Sequence, residues 1–148
     1  MKIVLAADHG GYERKNVIRD WLEEEGYQVE DLGTHSSESV DYPEYGRKAA
    51  RRVQEGQADR GIIFCGSGIG IGIAANRLKG IRCANVYEPY SAQLSRQHNN
   101  ANMISLGARI IGEDMTKEII KVFLTTEFEG GRHQRRVDKL DDLEERGR

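Results

Sequence analysis

Cys65 and the glycines that follow it are the residues whose types and spacing best suit chemistry. Residues 65–70 read CGSGIG and come directly after the apolar run 62–64. A thiol is therefore predicted at the carboxyl end of a buried strand, where open α/β sheets bind their ligands. Glycines let backbone N–H groups approach an anion, and the N-terminus of a following helix adds positive potential. The segment predicts a nucleophile or base beside a site for an oxyanion or a phosphate.

Known glycine-rich motifs fit this segment incompletely. The dinucleotide fingerprint G-x-G-x-x-G fails by one residue in both frames, at Ile71 and at Ile73. Glu88 does follow at about 20 residues, where a ribose-binding acid would stand. No Walker lysine follows the glycines, and Ile71 takes the place of the arginine that a cysteine phosphatase needs. A nucleotide-binding module and a buried structural cysteine both stay open as alternatives.

Three further polar clusters follow predicted strands, at residues 8–11, 41–43 and 88–91. Because the carboxyl ends of parallel strands share one edge, these clusters are predicted to converge on the pocket of Cys65. Each has a plainer interpretation. Asp8 suits the N-terminal cap of a helix, His9 suits a solvated loop, and Tyr42 suits an amphipathic surface position.

Residues 98–100, His-Asn-Asn, precede a predicted strand instead of following one. They should lie near the opposite edge of the sheet, away from the pocket of their own chain. If they are functional, a second subunit is the simplest way to bring them to a pocket. A polar turn is the alternative, since asparagine tolerates left-handed backbone conformations.

Arg132 and Arg136 form a second signal for anion binding. On a helix they share one face at i, i+4, and two guanidinium groups on one face suit a phosphate dianion. The alternative is a solvated charged helix, because five acidic residues follow between positions 138 and 145.

The four histidines give little support to a metal site. His9, His35, His98 and His133 show no spacing of the His-x-x-x-His kind. We therefore expect no metal and no cofactor, with a metal-dependent sugar isomerase as an alternative.

Strands and helices alternate along the chain, which predicts a parallel sheet covered by helices on both faces. The predicted strands are 3–7, 27–32, 61–65, 81–86 and 103–106, with 109–111 extending or following the last of them. The predicted helices surround 17–22, 43–55, 73–78, 89–94 and 119–124, and a charged helix follows Gly130-Gly131 at about 132–146.

The chain has the length of one ordinary domain, residues 1–148, large enough for a hydrophobic core. Its net charge of −2 provides no global basic field for nucleic acid. Two distant cysteines form no disulfide scaffold, and the apolar run 3–7 is too short for a signal sequence or a membrane span. We expect a cytoplasmic protein with no nucleic-acid or membrane partner.

Taken together, these motifs resemble the family shared by ribose-5-phosphate isomerase B and galactose-6-phosphate isomerase. The similarity runs from Asp8 to Arg136, and its specific pieces lie at 39–43, 65–70, 73–77, 80–82, 88–92, 95–99 and 129–133. The resemblance implies a Rossmann-like three-layer sandwich with a five-stranded parallel sheet and no bound nucleotide. It also implies a homodimer, or a dimer of dimers, whose active sites are shared between subunits, with the C-terminal helix packed on a partner.

The resemblance further implies a role for each matching residue. Cys65 would be the base, Ser67 and the amides of Gly66, Gly68 and Gly70 would stabilise an enediolate, and Asp8 with the partner's His98 would open the sugar ring. The substrate-binding residues implied are Asn99 beside His98, Tyr42 in the sugar pocket, and His9, Arg109, Arg132 and Arg136 on the phosphate.

The expected reaction is the interconversion of ribose 5-phosphate and ribulose 5-phosphate. It needs a base and preorganised N–H donors, and no cofactor, because the substrate carries the carbonyl. A helix N-terminus favours the thiolate form of a cysteine, which would act as the base. Six-carbon sugar phosphates, allose 6-phosphate or galactose 6-phosphate, are alternative substrates, and a non-enzymatic sensor of sugar phosphates or nucleotides is the alternative outside the enzymes.

Overall fold

The computed structural model describes residues 1–146 of the chain, with side chains described as far as residue 142. Strands and helices alternate through its length. The strands are β1 Lys2–Ala7, β2 Gln28–Asp31, β3 Arg60–Cys65, β4 Cys83–Asn85 and β5 Met103–Gly107. The helices are α1 Tyr12–Glu24, α2 Tyr42–Gln54, α3 Ile69–Asn76, α4 Pro89–Gln97, α5 Glu113–Thr125 and α6 Arg132–Arg146.

All strand pairs are parallel, in the order β2-β1-β3-β5-β4. Successive side chains of β1, β3 and β5 point to opposite faces and are buried on both, which explains their continuous apolar runs. One face packs against α1, α4 and α5 through residues such as Ile18, Ala92 and Phe123. The other face packs against α2 and α3 through residues such as Ala49 and Ala75. The predicted three-layer, five-stranded parallel fold is confirmed.

A buried ion pair closes the β2 edge of the sheet. Lys15 on α1 is fully buried, and its Nζ lies 2.7 Å from Asp31 Oδ2. Burial alone would raise the pKa of Asp31, but hydrogen bonds from Lys15, Gly33 and Arg19 hold it below its ordinary value. The backbone of Gly33 in turn bonds to β1 through its carbonyl, which accepts the N–H of Ala7 at 2.7 Å. The pair thus stabilises the end of β1 from which the first polar loop begins.

Two predicted boundaries were wrong, and one left open is now decided. The third helix begins at Ile69 instead of Ile73, because the turn after β3 already ends at Gly68, the N-cap of the helix. The fourth strand pairs only over Cys83–Asn85, at the sheet edge, and not over 81–86. Of the two possibilities for residues 109–111, they follow β5 as a turn, since the N–H groups of Ile110 and Ile111 bond back to the carbonyl of Gly107.

None of the helices within residues 1–146 combines the length and apolar character needed to cross a lipid bilayer.

Candidate active site

Cys65 is the last residue of β3 and is 5 % exposed. The turn from β3 into α3 wraps around its sulfur, and Sγ accepts the backbone N–H of Gly68 at 3.1 Å. The Ser67 Oγ accepts the N–H of Ile69 at 3.1 Å, so its own hydroxyl proton is free to donate elsewhere. The sulfur thus lies beside the start of α3 and already accepts one N–H of the turn.

Two glycines in this turn are required by close contacts. Gly68 has a φ of 80°, and a Cβ there would lie 2.7 Å from the carbonyl carbon of Leu106. A Cβ on Gly70 would lie 2.6 Å from the ring of Tyr42, the first residue of α2. The missing side chains therefore let the turn pack on β5 and let the Tyr42 ring lie directly over α3.

The turn forms the floor of an open cleft of about 630 Å³ at the carboxyl edge of the sheet. We call it the thiol cleft. Its lining residues are Asp8, Tyr42, Cys65, Gly66, Ser67, Ile69, Gly70, Arg109 and Ile110. They come from four different loops or helix starts, so the parallel sheet brings together residues more than 100 positions apart in sequence. The predicted convergence of strand-end clusters is seen for Asp8, Tyr42 and Cys65, but not for residues 88–91, none of which lines the cleft.

The loop after β1 supplies a carboxylate to the thiol cleft. Asp8 is 8 % exposed, and its Oδ1 accepts the N–H groups of Gly10 and Gly11 at 2.9 and 3.2 Å. Asp8 therefore holds the turn before α1 and also lines the cleft. The interpretation of Asp8 as a helix cap was wrong, because the N-cap of α1 is Gly11. The Nδ1 atom of His9 accepts the N–H of Val40 at 3.1 Å, which leaves the proton of a neutral ring on Nε2.

Gly10 lies where a side chain would crowd three groups around the cleft. A Cβ at Gly10 would lie 3.2 Å from the Gly66 nitrogen, 3.3 Å from Asp8 Oδ1 and 3.4 Å from the Arg109 guanidinium. The Arg109 guanidinium also lies over Gly66, 3.0 Å from where a Cβ would be. An amide, a carboxylate and a guanidinium thus meet around one residue that has no side chain.

Several N–H groups of the turn have no acceptor. Within the described part of the chain, the amides of Gly66, Ser67 and Gly70 make no hydrogen bond to backbone or side chain. Unpaired N–H groups at a helix start suit an oxyanion. The thiol cleft therefore combines a thiol, a free hydroxyl, free amides and a cation, which is the equipment for proton transfer next to a carbonyl.

His98, predicted to be catalytic, lies elsewhere. It follows the last residue of α4, on the amino side of β5, whereas Cys65 pairs with Gly107 at the carboxyl end of that strand. The four residue steps from Met103 to Gly107 correspond to about 13 Å of strand. The expectation that His98 lies at the opposite edge from its own chain's pocket agrees with this placement.

His98 belongs to a group that we call the histidine cluster, formed with Glu129 and His133. The rings of His98 and His133 stack at 4.3 Å between centroids. Glu129 Oε1 lies 3.4 Å from Nε2 of His133 and 4.0 Å from Nε2 of His98. Burial is the main cause of the lowered pKa of His133, and the positive charges of His98 and Arg132 lower it further.

A buried arginine anchors the segments on either side of the histidine cluster. Arg96 donates to the carbonyls of Ala101 and Thr126 at 2.6 and 3.1 Å and to the Asn100 side chain at 2.9 Å. Burial lowers the pKa of Arg96 to about 10, so it stays charged at neutral pH. It thereby fixes both the turn after His98 and the start of the segment that carries Glu129.

The histidine cluster contains three potential metal ligands, whose atoms all lie within 4.8 Å of one another. The ring planes, however, are only 9° from parallel. An imidazole binds an ion through a lone pair in its ring plane, and two stacked parallel planes share no point. In this arrangement a single ion would require one ring to rotate.

Arg132, Arg136 and Asn99 also lie outside the thiol cleft. Both arginines are exposed on α6, which is attached to the rest of the chain near the histidine cluster. Its anchors are the stacked His133, the buried Val137 and an ion pair of 3.1 Å between Arg82 and Asp141. Of the substrate-binding set, the chain brings its Arg109 to the thiol cleft but keeps its Arg132 and Arg136 away from it.

Four residues of these sites were missed from the sequence: Ile69 and Ile110 in the thiol cleft, and Glu129 and His133 in the histidine cluster. Glu129 and His133 stand at i, i+4, a spacing that could have signalled their contact. Ile110 lines the cleft only because the turn after β5 folds back, for which the sequence carried no signal that we recognise.

A three-layer α/β domain with a thiol, unpaired amides and a cation at the carboxyl edge of its sheet belongs to the class that binds small anionic ligands there. The family model for ribose/galactose isomerases matches residues 3–140. The chain belongs to this family, as its motifs predicted.

Relatives are similar to this chain over nearly its whole length. Ribose-5-phosphate isomerase B of Escherichia coli is 47 % identical, over 98 % of this chain and 97 % of that protein. The structure of Clostridium thermocellum ribose-5-phosphate isomerase B is similar with a TM-score of 0.99 at 49 % identity, and the match covers both chains completely. A Mycoplasma genitalium ribose-5-phosphate isomerase B with bound ribulose 5-phosphate matches with a TM-score of 0.94 at 38 % identity, over 97 % of this chain and 96 % of that one.

Proposed function

We propose that the protein interconverts ribose 5-phosphate and ribulose 5-phosphate through an enediolate, with Cys65 as the base. The observation that carries this proposal is the Cys65 sulfur, bonded to one N–H of the α3 turn in a cleft where other N–H groups of the same turn are unpaired. Family membership and the ribose-5-phosphate isomerase B relatives support the choice of substrate.

The proton transfer follows from these groups. The Cys65 thiolate takes the proton from C2 of the open-chain aldose, and the electron pair of that C–H bond forms the C1–C2 double bond as charge moves onto O1. The unpaired amides of Gly66 and Gly70 and the hydroxyl of Ser67 stabilise that oxyanion. The thiol then returns its proton to C1, while the proton on O2 passes to O1. The products are the ketose and a regenerated thiolate.

Ring opening needs an acid and a base before this step. In the proposal, Asp8 acts from the thiol cleft and His98 of the partner subunit acts from across an interface, with Asn99 beside it. The placement of His98 at the other edge of its own chain's sheet supports this sharing.

The phosphate is proposed to bind His9 and Arg109 from one subunit and Arg132 and Arg136 from the other. Planar guanidinium groups suit a phosphate dianion. Tyr42 lines the sugar-binding part, where Gly70 leaves room for its ring. Phosphate held far from the reacting carbons supplies binding energy for positioning.

A homodimer, alone or within a dimer of dimers, completes the proposal. The outer face of α3 carries Ile69, 50 % exposed, and Ile73, 60 % exposed, beside the cleft. Exposed apolar residues next to an incomplete site are typical of a protein–protein interface. The α6 helix at 132–146 is proposed to pack on the partner as well, because its apolar Leu140 is 44 % exposed.

The first experiment measures formation of ribulose 5-phosphate from ribose 5-phosphate in the presence of EDTA. Cys65→Ala should lower kcat by about a thousandfold, the usual range for losing a general base. Cys83→Ala is the matched control, because burial raises the pKa of Cys83 to about 12 and keeps it a neutral thiol. Activity in Cys65→Ala equal to that of the wild type would remove Cys65 from the mechanism.

The same assay tests the alternative substrates. Allose 6-phosphate and galactose 6-phosphate are offered in parallel, and kcat/KM values are compared, since the open cleft has room for a sixth carbon. Turnover of six-carbon substrates alone would overturn the pentose proposal. Binding without turnover of any of them would indicate a non-enzymatic sensor, and activity that EDTA abolishes and a divalent ion restores would indicate a metal-dependent isomerase.

A further inference from the structure

The peptide between Ser67 and Gly68 has hydrogen bonds on both of its sides. Its N–H, from Gly68, donates to Sγ of Cys65 at 3.1 Å. Its carbonyl, from Ser67, accepts the hydroxyl of Tyr87 at 3.1 Å. In a trans peptide the C=O and N–H bonds point in opposite directions. A group that fixes the carbonyl therefore fixes the direction of the N–H as well.

Tyr87 is itself held by Asn85, the last residue of β4. Its hydroxyl lies 2.8 Å from Asn85 Oδ1, while Nδ2 of the same amide donates to the carbonyl of Ser105 at 3.1 Å. This second bond fixes the orientation of the amide, because the flipped form would place two acceptors against each other. Oδ1 therefore faces Tyr87, whose single proton is shared between Asn85 and Ser67.

The same peptide is packed tightly against β5. A Cβ on Gly107 would lie 2.6 Å from the Ser67 carbonyl oxygen, and a Cβ on Gly68 would lie 2.7 Å from Nδ2 of Asn85. The peptide thus has little room to move, except by rotating the carbonyl away from Tyr87. The hydroxyl opposes this rotation, and bonds on both sides of one peptide also polarise and strengthen each other.

We propose that Tyr87 is a positioning residue that orients the peptide between Ser67 and Gly68 and thereby strengthens its N–H bond to the thiol of the cleft. Within the described residues, the Tyr87 side chain hydrogen-bonds to no residue that lines the cleft other than Ser67, and not to the thiol. It acts through a backbone group, and its effect is greatest when the sulfur is charged, because a bond to an ionised acceptor is about twice as strong.

The inference rests on the proposed role of Cys65 but is measured without substrate. The variant is Tyr87→Phe, which removes one oxygen and keeps the ring. The readout is the rate of alkylation of Cys65 by iodoacetamide from pH 5 to 9, with the modified residue identified by mass spectrometry. Losing one net hydrogen bond should slow alkylation at pH 7 by about three- to tenfold and displace the profile to higher pH.

Tyr27→Phe is the matched control. This substitution also removes one hydroxyl, but far from the thiol, because Tyr27 packs on the core next to β2. It should alkylate as the wild type does. Thermal melts of all three proteins separate a local effect from partial unfolding. In the isomerase assay, Tyr87→Phe should lower kcat with little change in KM, and its kcat profile should move to higher pH.

An alkylation profile of Tyr87→Phe identical to that of the wild type would overturn the proposal. A profile displaced equally in Tyr27→Phe would also overturn it. If the profile moves only in Tyr87→Phe but the wild type turns over no sugar phosphate, the positioning role stands and the proposed function fails.

Discussion

The thiol cleft and the histidine cluster are built in opposite ways. The thiol cleft is assembled by the sheet, because loops after parallel strands share one edge and bring Asp8, Cys65 and Arg109 together. The histidine cluster is assembled by direct side-chain contacts between the end of α4 and the start of α6, with Arg96 fixing both segments. One depends on topology and the other on a local network.

The two regions also differ in what each lacks. The thiol cleft has a thiol, unpaired amides and one guanidinium, but among the described residues no imidazole lines it. The histidine cluster has an imidazole pair beside Arg132 and Arg136, but no nucleophile. About 13 Å of strand separates their ends of the sheet. Under the proposed function, the two regions are halves of one site that meet between two copies of the chain.

Mixing two inactive variants tests this relation and has the largest expected effect. In Cys65→Ala and His98→Ala homodimers, kcat should be lower by a hundredfold or more. This is about the contribution of one general acid or base to the rate. When the two variants are coexpressed, half of the dimers are heterodimers. In each heterodimer, one of the two sites holds an intact thiol and an intact imidazole. About a quarter of wild-type activity should therefore return in a symmetric dimer.

The control for this mixture is the Cys65→Ala protein coexpressed with Cys65→Ala,His98→Ala, in which no site is complete. Activity should stay at the level of the parents. If the mixture of single variants regains nothing while heterodimers are present by mass spectrometry, the two regions do not share a site.

Gly10→Ala tests the crowding within the thiol cleft, with an intermediate effect. The new methyl group would lie 3.2 Å from the Gly66 nitrogen and 3.3 Å from Asp8 Oδ1, so one of these groups must shift. We expect kcat/KM to fall by about ten- to a hundredfold, the scale of a small misplacement in a preorganised site. Steady-state kinetics on ribose 5-phosphate measures it.

Gly112→Ala provides the comparison for that substitution. A Cβ at Gly112, which precedes α5, meets no atom of the described chain within 4 Å, so kinetics should be unchanged. Equal losses in both variants would mean that the space at Gly10 is not what matters.

The pH dependence of stability sharpens the description of the histidine cluster and has the smallest effect. The pKa of His133 is lowered in the folded chain, so the unfolded chain binds its proton more readily. Stability is therefore fully present above the unfolded value of about 6.5 and declines as the pH falls below it. Thermal melts from pH 5 to 8 should show this decline, with a shallower slope in His133→Gln.

Glu129→Gln separates the contributions in that cluster. Glu129 raises the pKa of His133, against the effect of burial, so removing its charge should steepen the decline on the acid side. An unchanged slope in both variants would show that the cluster does not titrate in this range.

The fold was predictable because its signals are local. Continuous apolar runs such as 62–64 mark strands buried on two faces, and Pro43 and Pro89 stand at helix starts as expected. The wrong boundaries lie where tertiary contact overrides the pattern. The third helix begins inside the glycine turn because Gly68 can adopt a φ of 80°, and β4 is short because it has a neighbour on one side only.

The sequence by itself determined the chemistry available to this protein: a thiol before a glycine turn, a carboxylate after β1, and basic side chains near position 132. Side-chain type and strand-helix order are written along the chain, and parallel strand ends must meet at one edge. Only the tertiary structure decided the distances. It placed Tyr87 behind the Ser67 peptide, stacked His133 on His98 and left both histidines away from the cleft, because such contacts depend on how separate elements pack in three dimensions.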